Sequence, residues 1–188
     1  MLRLGILILM VLGGMMSLAT AQVNLYVDAE LGDDSWSGLS PVAGDPNGPK
    51  KTIQAAIDDT DSGDTVIVAD GIYTGVGNID LDFGHQIVGT RIITVRSANG
   101  PKYCIIDCDN AGRGFQFYSG ETEAARVEGF TIRRGRGQFE DIGGQQRPAG
   151  GAIFCENSSP TIENCVIRDN QLGFLGAGVG FVSALVRV

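Results

Sequence analysis

From Asp64 onward the chain alternates apolar and polar residues with a period of two, in the short runs TVIVAD, IDLDF, RIITVRS, CIIDC, RGFQFYS and VEGFTIRR. Gly, Asn and Asp punctuate these runs, the signature of short strands closed by turns. A helical pattern occurs earlier, in KKTIQAAIDDT, where Thr52 is placed to cap and Ile53, Ala56, Ile57 and Thr60 fall on one face. Upstream of it, NLYVDA predicts a strand, followed by the acidic, turn-rich ELGDDSWSGLSPVAGDPNGP. One helix followed by strands without helical crossovers excludes a doubly wound α/β fold and predicts an all-β architecture.

The tail repeats itself. GGAIFCENSSPTI matches GAGVGFVSALVRV at an offset of 26, placing Ile153 on Val179, Cys155 on Phe181 and Ile162 on Val188. VEGFTIRRG matches IENCVIRDN at an offset of 35, the excess being a polar insertion around GRGQFEDIGGQQRPAG that projects from one turn. CIID aligns with FTIR at an offset of 26, preferred over ITVR at an offset of 37. A period near 26 with three short strands per repeat predicts a parallel β-helix, each coil burying its inward side chains on its neighbours. The inward sets are Val127, Phe130 and Ile132, then Ile162, Cys165 and Ile167. Their first spacing of three demands a corner, at Gly129 and Asn164, residue types that tolerate a left-handed backbone.

The first 21 residues, MLRLGILILMVLGGMMSLATA, have one cation, an apolar run and a small-residue triplet, the layout of a secretory signal peptide cut before Gln22. The expected organisation is therefore a signal peptide over 1–21, a strand, acidic loop and capping helix over 22–63, and coils over 64–188. No transmembrane segment is expected after cleavage. Without residues 1–21 the chain has 13 Lys plus Arg against 22 Asp plus Glu, a net charge of -9. Phosphate binding needs a basic footprint, so nucleic acid is not an expected partner. Residues 171–188 are largely apolar, carry only Arg187 as a charge and stop inside a repeat, which predicts a longer solenoid. An extended CIIDC sets Cys104 and Cys108 about 13 Å apart, too far to bridge. The cysteine spacings match no zinc pattern, and buried free thiols are expected.

GDTVIVADGIYTG, LDFG, ITVRSANGP, CIIDC, GFTIRRG and GGAIFCENSSPTIENCVIRDN together resemble exported bacterial proteins of the right-handed parallel β-helix, pectin lyase-like superfamily. The resemblance runs from Tyr26 to Asn170 and includes KKTIQAAID as the segment that caps the first coil. GGAI is also similar to the repeat of polymorphic outer-membrane proteins, whose F-x-x-N appears here as Ile167-Arg168-Asp169-Asn170. The resemblance implies a secreted or cell-surface protein with an elongated surface for polysaccharide, acting as lyase, hydrolase, epimerase, adhesin or spacer.

Lyases in that superfamily need carboxylates beside a cation, often with Ca²⁺, and Asp107 and Asp109 beside Arg113 approximate this. A strand ending in an Asp-Asn-Gly turn explains the same residues. Asp28, Glu30, Asp33 and Asp34 could hold Ca²⁺ but lack the D-x-D-x-D-G spacing, and a solvated turn is the competing reading. Arg133 and Arg168 are predicted to stack on adjacent coils about 4.8 Å apart. Glu128, Glu163 or an anionic glycan would answer them. His85, the single histidine, has no serine elbow to serve. An offset of 38 sets Phe115 and Phe117 inward beside Ile153 and Cys155, leaving Gln116, Tyr118, Phe154 and Glu156 outward. That face would stack on sugar rings, unless the 136–149 insertion folds down over Phe154. The expected function is carbohydrate or surface binding without catalysis; a polysaccharide lyase and a structural spacer are the rivals.

Overall fold

A three- or four-residue strand cannot hold itself. Ordering its backbone costs roughly 1–2 kcal/mol per residue, and burying one Val, Ile or Phe returns only about 1.5–3 kcal/mol. The strands are therefore held by parallel partners from other turns of the chain. The computed structural model describes residues 21–44, 46–84, 91–171 and 176–182. β1 (Asn24–Val27) leads into α1 (Ile53–Asp58). A first circuit follows as β2 (Thr65–Val68), β3 (Gly71–Tyr73) and β4 (Leu81–Asp82), and a second as β5 (Thr94–Ser97), β6 (Cys104–Asp107) and β7 (Phe115–Phe117). The third begins with β8 (Arg126–Glu128) and β9 (Thr131–Arg133), leaves through the hairpin β10 (Gln138–Asp141) and β11 (Gln146–Ala149), and returns in β12 (Ile153–Glu156). β13 (Thr161–Glu163), β14 (Val166–Arg168) and β15 (Val179–Val182) complete the described strands.

The strands form three parallel sheets, visited in cyclic order. The first sheet runs β1-β2-β5-β8-β13, the second β3-β6-β9-β14 and the third β4-β7-β12-β15; the hairpin is antiparallel. The fold is thus all-β, with one short helix among the described residues. The registers follow the sequence offsets. Ile153 lies opposite Val179 and Phe115, Cys155 opposite Phe181 and Phe117, Val127 opposite Ile162, and Ile132 opposite Ile167. Ile105 pairs with Thr131, the register that the offset of 26 demands. The expected match of Ile162 with Val188, the signal peptide up to Thr20 and His85 lie outside the described residues.

Inward side chains from all three sheets meet in one core: Val66, Val95 and Val127 from the first, Ile106 and Ile132 from the second, Leu81, Phe115, Phe117 and Ile153 from the third, all fully buried. Phe83 meets Phe117 edge-on at 5.1 Å between ring centroids, the geometry that sets ring edge against ring face. The corner residues adopt the left-handed backbone, Gly129 at φ 80° and Asn164 at φ 53°. Cys104, Cys108 and Cys155 are buried, Cys165 is half-buried, and all four are free. Burial pushes the Cys108 and Cys155 thiols up to about 12, which makes them packing groups rather than nucleophiles.

α1 begins where the sequence places it. The Thr52 hydroxyl accepts from the Ala55 amide, and the Asp34 carboxylate accepts from the Lys51 and Thr52 amides at 2.8 Å each. Ile53, Ala56 and Ile57 are fully buried against β1, β2 and β4. The insertion differs from expectation: it folds back as the hairpin against the outer face of the third sheet instead of projecting. β3 (Gly71–Tyr73) has no counterpart among the strands that the alternation predicts.

Candidate functional site

The outer face of the third sheet carries Asp82, Gln116, Phe154 and Gly180 in register on successive strands. Asp80 and Asp82 sit one on each side of the inward Leu81 at the start of this column, Asp80 at φ 53°. Together with Gln54 and Asp58 of α1, Gly77, Ile79 and Gln116, they line a cleft of about 230 Å³. Its walls are braced internally. The Gln54 amide donates to Asp58 and to the Asp82 carbonyl, and Gln54 Oε1 accepts from the Asp82 amide. Asp80 accepts from the Arg113 backbone amide and from Gln138. Gln116 is half-buried, and its carboxamide makes no hydrogen bond among the described residues. The cleft therefore presents carboxylate and amide groups, with no Lys or Arg among the described residues of its lining.

One strand further on, the predicted aromatic face is present but covered. Phe154 points away from the core yet is 0 % exposed. The Tyr118 ring lies 5.5 Å from it, and the Arg113 guanidinium sits 4.9 Å over it. The hairpin supplies Glu140, which accepts from Arg113 Nη2 at 2.8 Å and from the Tyr118 hydroxyl at 2.9 Å, while Arg113 Nη1 donates to that hydroxyl. Burial, opposed by Arg113, holds the Tyr118 hydroxyl protonated far above its ordinary range. Of the two readings of this face, the covered one holds for Phe154: Tyr118 and Arg113 lie over its ring and Glu140 of the insertion holds them there. Glu156 is half-buried at the rim of the same face.

The other candidates separate. Asp107 and Asp109 do not meet the Arg113 side chain, which is fully buried beside the third sheet. Asp107 instead accepts from Arg133 and Arg134, and Arg134 reaches Asp109 at 3.1 Å. Burial would raise the Asp107 carboxyl, but hydrogen bonds from Arg134, the Asp109 amide and Arg133 outweigh it and hold it below the ordinary carboxylate range. Arg133 and Arg168 are register neighbours as anticipated. Asp107 answers the first and Asp169 the second, whereas Glu163 pairs with Arg126, contrary to the expected role of Glu128 and Glu163.

In the acidic loop, Asp28 accepts from the Glu30 and Leu31 amides and Asp33 from Ser35, while Asp34 braces the helix start. The Ser35 hydroxyl and amide hold the Asp33 carboxyl below its ordinary range. Glu30 lies in the same turn. Among the described residues no group of three or more His, Cys, Asp or Glu is arranged to hold a metal ion, and no helix is long and apolar enough to cross a membrane. No family model, curated protein or solved structure matches the chain.

The sequence reading did not single out Gln54, Asp58, Asp80, Asp82 or Glu140. The signal for two of them is present in IDLDF, where Asp80 and Asp82 occupy the outward positions beside Leu81 and Phe83.

Proposed function

We propose that the protein is an exported or cell-surface module, wound as a right-handed parallel β-helix, that binds carbohydrate on the outer face of its third sheet without catalysis of its own. The signal-peptide layout of residues 1–21 supports export. Cyclic visits to three parallel sheets support the β-helix, and a crossover between parallel strands of one sheet is right-handed in nearly all folds.

The observation that carries the binding reading is the cleft lined by Gln54, Asp58, Asp80, Asp82 and Gln116. Carboxylate and carboxamide groups accept from sugar hydroxyls, and the unpartnered Gln116 amide has both a donor and an acceptor to offer. Asp58 and Asp80, with no Lys or Arg beside them among the described lining residues, repel a polyuronate and favour a neutral glycan. The rival lyase chemistry has little support, because the Asp107 carboxylate is already taken by two guanidinium groups.

Calorimetric titration with cellohexaose, xylohexaose and chitohexaose tests the reading. Gln116→Ala and Asp58→Ala are each expected to weaken binding about tenfold, the equivalent of about 1.4 kcal/mol for one hydrogen bond. Absence of affinity for every glycan would leave a structural spacer. Release of unsaturated uronates from an acidic polysaccharide would make the protein a lyase.

A further inference from the structure

Arg113 has an unusual environment for a side chain outside the core. It is 0 % exposed, yet its Nε meets no acceptor. A buried unpaired donor is costly, and a buried ion pair is weak support for stability in itself. The group it covers is equally unusual: Phe154 is fully buried but does not belong to the core cluster shared by the three sheets. The Tyr118 ring and the Arg113 guanidinium lie over Phe154, and the hairpin fastens that cover by polar contacts, Glu140 to Arg113 and Tyr118 and Gln138 to Asp80. The hairpin's own aromatic residue, Phe139, is 69 % exposed and contributes little to holding it down.

We propose that the hairpin β10–β11 is a displaceable cover over a second, sugar-stacking subsite formed by Phe154 and Tyr118, with Glu140 as its latch. The inference rests on the reading that the third sheet binds glycan, and it extends that site by one strand. Phe154 is the register neighbour of Gln116, which lines the cleft, and the position beyond it is Gly180, which has no side chain to crowd an incoming ring. With the hairpin lifted, Asp82, Gln116 and Phe154 form one continuous row. Once Glu140 lets go, the Arg113 guanidinium, which lies 4.9 Å over the Phe154 ring, swings off it; the apolar face of a pyranose would then lie on the Phe154 and Tyr118 rings, and its hydroxyls would meet Gln116 and the Arg113 donors that Glu140 now occupies. Gln138 ties the same hairpin to Asp80 on the cleft wall, so lifting it opens cleft and subsite together.

The test compares wild type with Glu140→Ala, Glu140→Gln and the double variant Glu140→Ala/Phe154→Ala, using hydrogen exchange and titration with the same three hexasaccharides. Glu140→Ala is expected to speed exchange of residues 138–149 at least tenfold while β7 and β12 stay protected, and to tighten binding about tenfold. Glu140→Gln, which keeps the shape, is expected to give a smaller change of the same sign. Adding Phe154→Ala should return the affinity to the wild-type value. If wild type binds and Glu140→Ala binds no tighter, or exchange of the hairpin does not change, the cover is refuted and the cleft reading stands. If wild type does not bind but Glu140→Ala does, through Phe154, the subsite stands and the cleft reading falls. Absence of binding by every variant overturns both.

Discussion

Asp107 illustrates how a single carboxylate fixes part of this surface. Its side chain is 3 % exposed and takes hydrogen bonds from Arg133 and Arg134, which lie next to each other where the second sheet turns away. Asp107→Asn is expected to lower unfolding stability on the order of 2 kcal/mol, the scale of charge-assisted hydrogen bonds, measured by urea denaturation at pH 7. The folded-state carboxyl is depressed relative to the unfolded one, so this contribution is complete above the unfolded value of about 3.9. It is lost as pH falls through the lower folded value. The stability difference between wild type and Asp107→Asn should therefore be constant near neutrality and close only in acid. A difference that grew on acidification would refute the assignment. The corner residues act through backbone rather than charge. At Gly129, φ is 80° and an added Cβ would stand 2.4 Å from Ser97 Oγ, so Gly129→Ala should cost on the order of 2 kcal/mol. At Asn164 the conformation is the same but a side chain is already accommodated. Asn164→Gly is expected to be near neutral in the same assay and Asn164→Ala to cost about 1 kcal/mol.

Among the elements, α1 is short enough that burial rather than propensity must hold it. Ile57→Ala should cost about 2–4 kcal/mol by leaving a cavity among buried neighbours, whereas Asp28→Ala in the exposed turn should change the thermal midpoint very little. Most strands are legible in the sequence because each has at least three alternating residues closed by Gly, Asn or Asp. GIY of β3 is too short to display a period, and QFED and QRPA of the hairpin have too few apolar residues to show one. Alternation also says which face a side chain occupies but not what lies on that face, which is why Phe154 reads as outward and yet is buried. The grouping of Asp107, Asp109 and Arg113 failed for a different reason. Asp109 and Asn110 have φ of 47° and 60° and turn the chain from the second sheet to the third, so neighbours in sequence end on different faces. The reverse holds for the cleft. Gln54 and Asp58 are brought to Asp82 by the packing of a helix on a strand some 25 residues away, and no local pattern carries that juxtaposition.

Across the whole molecule, each strand pairs only with the strands before and after it in its stack. Stability in such arrays is a sum of local units and the interfaces between them. Among the described residues, β13, β14 and β15 are the last in their sheets, with Val166 44 % and Phe181 38 % exposed. Free edges with apolar side chains template association. Val166→Lys is expected to suppress concentration-dependent sedimentation while changing stability by less than about 0.5 kcal/mol; unchanged self-association would show that this edge is not its source. The hairpin has a different consequence. It departs and returns at a neck where an added Cβ on Gly135 would stand 2.0 Å from the Gly151 carbonyl oxygen, and its ends are tied by the pairing of Gln138 with Ala149. Because exit and re-entry coincide, the winding above and below is indifferent to what hangs between them. An engineer can exchange that appendage for another of different length without shifting the parallel sheets on either side, which makes the neck a natural grafting point.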